Sequence, residues 1–274
     1  MHATAIDTDL GQGLPSGSPH YRAFVGPPDK YDLVAAMQFS LLAALGLREW
    51  HYLLDIGCGS LRAGRLFIPY LLPARYYGIE PETWLVEEGI RRELGQDQIV
   101  LKRPSFRHDA RFDLAAFGRS FDFVIAQSIF SHASQAQIGH CLRAVRSVMA
   151  PKGVFAATYV EGTDNYSGDA WVYPGCVKYA SAFFRQLVEN AGLACFPLRW
   201  KHPNGQKWLA IVHPGNGSVV PEWLHGDGDY EELLRAAHNC RKQLNRLESH
   251  PYIRVGRLAR KCFRWAQSPL RRIA

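Results

Sequence analysis

The sequence predicts a three-layer α/β sandwich: a mostly parallel, seven-stranded sheet that ends in an antiparallel hairpin, followed by C-terminal helices. Three observations carry this. Short apolar runs alternate with helical stripes from residue 51 onward. The clearest run, Phe121 to Ala126, reads as a buried strand of the parallel type. The last two runs, Leu193 to Trp200 and Lys207 to His213, are joined by His202-Pro203-Asn204-Gly205, a turn composition that predicts a hairpin.

The elements follow in order. Residues 1–20 are expected to be a flexible lead-in, being rich in Gly, Ser and Pro without apolar periodicity. Leu33, Val34, Met37, Leu41, Ala44 and Leu45 make a helical stripe over Tyr31 to Leu45, closed by Gly46. His51 to Ile56 predicts a strand, and Leu61 to Ile68 a helix that Pro69 stops. Tyr76 to Glu80 predicts a second strand, then a helix from Glu82 to Leu94 ended by Gly95, then a weak strand over Ser105 to His108. Ser134 and Gln137 form a capping box for a helix with Ile138, Cys141, Leu142, Val145, Val148 and Met149 inward. Ala150 to Gly153 turns the chain into a strand over Val154 to Tyr159. A helix over Val177 to Ala191 follows, with Phe183, Phe184, Leu187 and Val188 inward.

Of the 274 residues, 47% are hydrophobic and 21% charged, so the chain can bury a core. The net charge of +7 is unevenly spread. From Arg241 onward, 10 Lys or Arg face Glu248 alone, which leaves +9 there and, by difference, −2 over residues 1–240. No apolar run is long enough to span a membrane, and the N-terminus lacks the basic and apolar regions of a signal peptide, so a cytoplasmic location is expected. The six cysteines form no metal-type cluster and read as free thiols; no metal site is expected.

The chemistry concentrates in Asp55-Ile56-Gly57-Cys58-Gly59-Ser60, a strand running through glycines into a helix. Glycines let the backbone approach a ligand, and a helix start offers unpaired N–H groups. Arg62 occupies the third glycine position of a dinucleotide fingerprint, which disfavours NAD and FAD, and a P-loop lysine is missing.

Asp55-x-Gly57-x-Gly59 resembles the first motif of class I S-adenosylmethionine (SAM) dependent methyltransferases, a Rossmann-like family; the likeness spans residues 30–213. Glu80, 23 positions after Gly57, matches the acidic residue that receives the ribose hydroxyls in that family, and Asp109 matches the one near the adenine amino group. The resemblance implies SAM as cofactor, held by Asp55, Gly57, Cys58, Gly59, Glu80, Asp109 and Gln127. It departs from the fuller glycine pattern at Leu61. Arg62 and Arg65 are available to the cofactor's carboxylate, to an anionic substrate, or to Glu80 and Glu82. Tyr21, Phe24, Tyr31, Met37 and Gln38 stand where the family places a cover over the cofactor.

On these grounds residues 21–215 are the methyltransferase domain and 216–274 a basic helical extension. The motifs of amide, adenine and cytosine-C5 enzymes are absent, which leaves oxygen, amine or carbon acceptors on small molecules; the favoured expectation is a small-molecule or glycan acceptor methylated at oxygen. His132, after the fourth strand, is the expected catalytic base, because an alcohol must lose its proton as it attacks the methyl group. Glu161, Asp164, Tyr173 and His202 are weaker candidates. Ile253 to Ala266 forms a basic amphipathic helix suited to an anionic membrane surface through residues 250–274; its plainer use is packing on the domain or on a second subunit, and RNA binding is the least favoured. A protein that binds SAM without transferring its methyl group is the non-enzymatic alternative.

Overall fold

The computed structural model describes residues 9–226 and Lys242. Seven strands, β1 (Leu53–Ile56), β2 (Tyr76–Ile79), β3 (Ser105–Arg107), β4 (Phe121–Ala126), β5 (Met149–Tyr159), β6 (Ala194–Leu198) and β7 (Lys207–Val212), form one sheet in the order β3-β2-β1-β4-β5-β7-β6. The first five pair in parallel, while β7 runs antiparallel to both β5 and β6, as the hairpin composition predicts. The strand order reverses between β1 and β4, and the loops that leave their carboxyl ends form the crevice where open α/β sheets bind ligands.

Among the described residues, seven α-helices accompany the sheet: α1 (Tyr21–Phe24), α2 (Tyr31–Ala44), α3 (Gly64–Tyr70), α4 (Thr83–Gly89), α5 (Gln96–Lys102), α6 (Gln135–Val148) and α7 (Ser181–Asn190). Two cores result, one on each face. Ile138, Cys141, Leu142 and Val145 of α6, with Phe184 and Val188 of α7, cover one face together with Phe121, Val124 and Phe155. Val34, Leu41 and Leu42 of α2, with Phe67 and Ile68 of α3, cover the other with Leu53, Phe123 and Ala156. The capping box closes as expected: Ser134 Oγ accepts from Gln137 N–H, and the Gln137 side chain accepts from Ser134 N–H.

Several local expectations change. Leu33 is 56% exposed, because α2 turns Val34 and Ala35 inward instead. Pro69 lies inside α3, one residue before its end, where the missing N–H removes only one late helical bond. The helix expected over 82–94 is α4 continued by a π-helical turn, Ile90–Leu94, which ends at Gly95 with φ of +85°. That turn presents Glu93 to Arg22 and Arg65, at 2.6 and 3.1 Å. Helix α5 is absent from the sequence reading, since its Val100 and Leu101 are exposed and leave no inward stripe. β5 begins at Met149, so residues 150–153 belong to an irregular strand start opposite Phe121, where a turn was expected.

At the N-terminus, Gly17 N–H donates to Ala23 O, and Gly11 lies against the His20 ring. Val220 and Leu224 are buried in the second core, within the compact unit that closes at Asp227. The basic amphipathic helix expected over 253–266, and residues 250–274 as a membrane-binding segment, lie outside the described residues. No helix among the described residues is long and apolar enough to cross a membrane. Among the free cysteines described, Cys58 and Cys141 are buried and Cys176 is exposed.

Candidate active site

The glycine loop after β1 is strapped to β2 by its own backbone: Gly57 and Cys58 N–H both donate to Ile79 O, at 2.8 and 3.2 Å. Gly57 and Gly59 take positive φ, +70° and +54°, as does Leu61 at +57°. Side chains are excluded from both glycines. A Cβ on Gly59 would stand 2.7 Å from Val25 Cγ1, and one on Gly57 would overlap Ile129 Cδ1. Backbone can therefore approach a ligand here as closely as geometry allows. The Tyr31 hydroxyl of α2 donates to Ser60 O at 3.0 Å, which ties the N-terminal cover to the loop.

Asp55 is buried beneath the loop and accepts from the Tyr76 hydroxyl at 2.7 Å. Burial pushes its carboxyl up to about 6, against the lowering influence of Tyr76 and Arg62. Glu80, at the end of β2, reaches across to the loop. Its Oε2 accepts from Gly59 N–H and its Oε1 from Glu82 N–H, both at 3.0 Å. Each oxygen keeps lone-pair capacity for a further donor such as a ribose hydroxyl. Burial raises the Glu80 carboxyl above its usual range, while the two backbone bonds lower it. The Cys58 thiol is buried beside Gly78, so this residue offers a ligand only its backbone.

Asp109 follows β3 at the same sheet edge, and neighbouring His108 Nδ1 lies 2.9 Å from Glu80 O. Its carboxylate, however, accepts from Asp113 N–H at 2.8 Å and faces Arg111 at 3.5 Å; these contacts hold it below the usual range and commit it to its own loop. Gln127, after β4, accepts from Arg62 Nη2 and lies 3.0 Å from His202 Nε2. Arg62 and Arg65 pair with neither Glu80 nor Glu82. Arg65 meets Glu93 and Asp32, and Arg62 Nη1 donates to Val25 O at 2.7 Å.

His132 is buried after β4, with Nδ1 at 2.9 Å from Val172 O and 2.7 Å from Gly175 O. Two carbonyls can only accept, so Nδ1 carries the ring proton and Nε2 keeps its lone pair as a base. Burial lowers the pKa of His132, so the ring is neutral at pH 7. Trp171 and Tyr173 pack beside it at 5.6 and 5.0 Å, and Phe24 packs on Tyr173 at 5.4 Å. Among the weaker candidates, Glu161 is engaged by Ser181 and Lys207, while Tyr173 and His202 border the site. Sequence reasoning missed Ser128 and Gln206. Ser128, at φ +61°, receives Gln127 Nε2 at 2.6 Å and the Gln206 amide, and no sequence pattern marks either residue.

The strand order, with the positive-φ loop after β1 and the acidic end of β2, is that of a class I, SAM-dependent methyltransferase fold. Residues 54–155 match the family model of a methyltransferase domain, so the chain carries such a domain, whose cofactor is SAM. Among solved structures, the magnesium protoporphyrin IX methyltransferase of Synechocystis PCC 6803, with S-adenosylhomocysteine (SAH) bound, shares the fold at TM-score 0.51 and 14% identity, over 68% of this chain and 84% of that one. A protein described as a candidate O-methyltransferase from Nostoc punctiforme PCC 73102 aligns at TM-score 0.52 and 15% identity, over 70% of this chain and 58% of that one. No curated protein matches the chain in sequence.

Proposed function

We propose that this protein transfers the methyl group of SAM to an oxygen of a small-molecule or glycan acceptor, with His132 as general base. The residues suit the cofactor. Gly57 and Gly59 hold the loop at positive φ under the Ile129 and Val25 side chains, Glu80 offers lone pairs to a ribose, and the buried Asp55 carboxylate lies under the loop where an ammonium group is favoured. When bound, SAM supplies an electrophilic methyl group on a sulfonium. The chain's part is to align the acceptor with it, to exclude water through the Phe24, Trp84, Trp171 and Tyr173 rings, and to accept the acceptor's proton at His132 Nε2.

The observation that carries this reading is the His132 ring. Its tautomer is fixed by carbonyls on the far side, which leaves a neutral, unprotonated nitrogen beside the aromatic cluster. The experiment has two readouts. SAM and SAH titrated calorimetrically should bind the wild type and His132→Ala alike. Transfer of labelled methyl into an alcohol acceptor, identified from cell extracts, should fall about 10²–10⁴-fold in His132→Ala, the usual worth of a general base. Unchanged turnover with an alcohol would remove His132 from the mechanism, and failure to bind either cofactor form would remove the activity itself.

A further inference from the structure

The site holds a buried guanidinium that no carboxylate touches, although the buried Asp55 stands within electrostatic reach of it. Arg62 is 9% exposed; among the described residues no carboxylate lies within ion-pair distance of it, and its Nε has no partner at all. Its two fixed bonds go to neutral acceptors, Val25 O and Gln127 Oε1. Isolated buried cations are costly unless an anion joins them.

The groups around Arg62 are also oversupplied with donors. Asn204 N–H donates into His202 Nδ1 at 3.0 Å, so the neutral ring carries its proton on Nε2, the atom 3.0 Å from the Gln127 amide nitrogen. Whichever way the Gln127 amide is turned, either His202 or Arg62 presents a donor to a donor. The Lys30 ammonium stands nearby on Asn204 Oδ1 at 3.1 Å and, with Arg62 and burial, keeps His202 uncharged. The Gln206 amide nitrogen donates to Ser128 Oγ and its Oε1, an acceptor, is buried without a partner, as is the Tyr173 hydroxyl. Arg62 and Tyr173 lie within electrostatic reach of each other, and the same Tyr173 ring packs on Phe24 and His132.

We propose that Arg62, with His202 and Tyr173, seats a carboxylate of the methyl acceptor, so that the acceptor is an organic acid. This rests on the methyltransferase reading above. The acceptor, and not the cofactor, is assigned because the Tyr173 ring packs on His132, and His202 comes from the β6–β7 hairpin, neither of them on the glycine loop or at the end of β2. An acid seated on Arg62 and Tyr173 also places its body against aromatic faces and beside His132.

The test uses the full chain saturated with SAH and, as probes, benzoate and its neutral isostere benzamide, titrated calorimetrically. Benzoate should bind and benzamide should not. Arg62→Gln should weaken benzoate by about tenfold or more, as expected for losing a charge-assisted bond, while SAH affinity stays within about threefold. Tyr173→Phe, which deletes one hydroxyl from a partly buried ring, should weaken benzoate by about threefold to tenfold and guards against Arg62→Gln failing to fold. Equal binding of the two probes, or binding of neither, overturns the proposal and leaves the methyltransferase reading intact. Loss of SAH binding in Arg62→Gln, with the carboxamide of SAH unaffected, assigns Arg62 to the cofactor and overturns it as well. Absence of SAH binding by the wild type ends both readings.

Discussion

Gly59 offers the sharpest test of how the cofactor loop is built. Two separate costs attend Gly59→Ala. The residue sits at φ +54°, where a Cβ meets the following carbonyl at about 1–2 kcal/mol. The new Cβ also lies 2.7 Å from Val25 Cγ1, well inside ordinary contact, and overpacking of this kind costs about 1–3 kcal/mol. The sum, about 2–5 kcal/mol, corresponds to a loss of about 4–20 °C in thermal midpoint for a domain of this size. Val25→Ala removes Cγ1 and leaves Val25 Cβ 3.6 Å away, an ordinary contact. The double variant should therefore recover the steric part alone, with a coupling of about 1–3 kcal/mol in a double-mutant cycle read by thermal or urea unfolding. The φ part should persist. Strict additivity of the two substitutions would refute the argument, because it would mean that Val25 does not press on this glycine.

Other consequences follow from the buried ionisable groups. Asp55→Asn keeps an acceptor for the Tyr76 hydroxyl and removes the cost of ionising a buried carboxyl; the folded group titrates near 6 and the unfolded one near 3.8, so the cost grows between those values and is complete above them. The thermal midpoint at pH 8 should therefore rise in Asp55→Asn while SAM affinity falls, and a drop in both would contradict it. His202 works in the opposite sense: burial and neighbouring cations hold it down to about 3, so below pH 6.5 the unfolded chain binds the extra proton and stability falls with pH through the window from 6.5 toward 3. His202→Asn should flatten that slope in unfolding curves recorded between pH 6.5 and 4.5, and an unchanged slope would count against it. Glu80→Gln should weaken SAH by about tenfold or more through the lost carboxylate bonds to donors, measured by calorimetry with folding checked by circular dichroism.

The parts of the fold legible in the sequence are those whose signal is local and periodic. Phe121 to Ala126 is apolar except at Asp122 because β4 is covered on both faces from Phe123 onward, and Ser134 with Gln137 announces the start of α6 by mutual hydrogen bonding. Helix α5 was illegible because it leaves Val100 and Leu101 to solvent, and the π turn at Ile90–Leu94 because it serves a contact 70 residues away, Glu93 with Arg22. The site divides in the same way. Gly57, Gly59 and Glu80 could be named because a loop that must admit backbone to a ligand is written in glycines and in an acid at a fixed distance. Ser128 and Gln206 could not, since their meeting depends on a hairpin folding back over the end of β4. Asp109 stands at a strand end as expected, and one of its oxygens accepts from Asp113 N–H in a local turn that no sequence pattern announces.

The location of the site does not depend on the motif alone. Leu61 and Ser128, two of the non-glycine residues at positive φ, both follow strands whose carboxyl ends form the crevice, β1 and β4. Among the described residues, four of the nine buried side-chain polar atoms without partners belong to this region: Arg62 Nε, Ser131 Oγ, Tyr173 Oη and Gln206 Oε1. Backbone in a sparsely populated region and buried polar atoms without partners each cost about 1–3 kcal/mol, and such costs persist only where the surrounding packing over-determines them. Here that packing is the continuous apolar face of β4 and α6, whose residues are almost wholly buried. A ligand that brings acceptors to Arg62 and Tyr173 and hydroxyls to Glu80 would relieve several of these costs at once. The local penalties and the glycine motif thus mark the same sheet edge, and the unpartnered Arg62 Nε there is the donor that the proposed acid would meet.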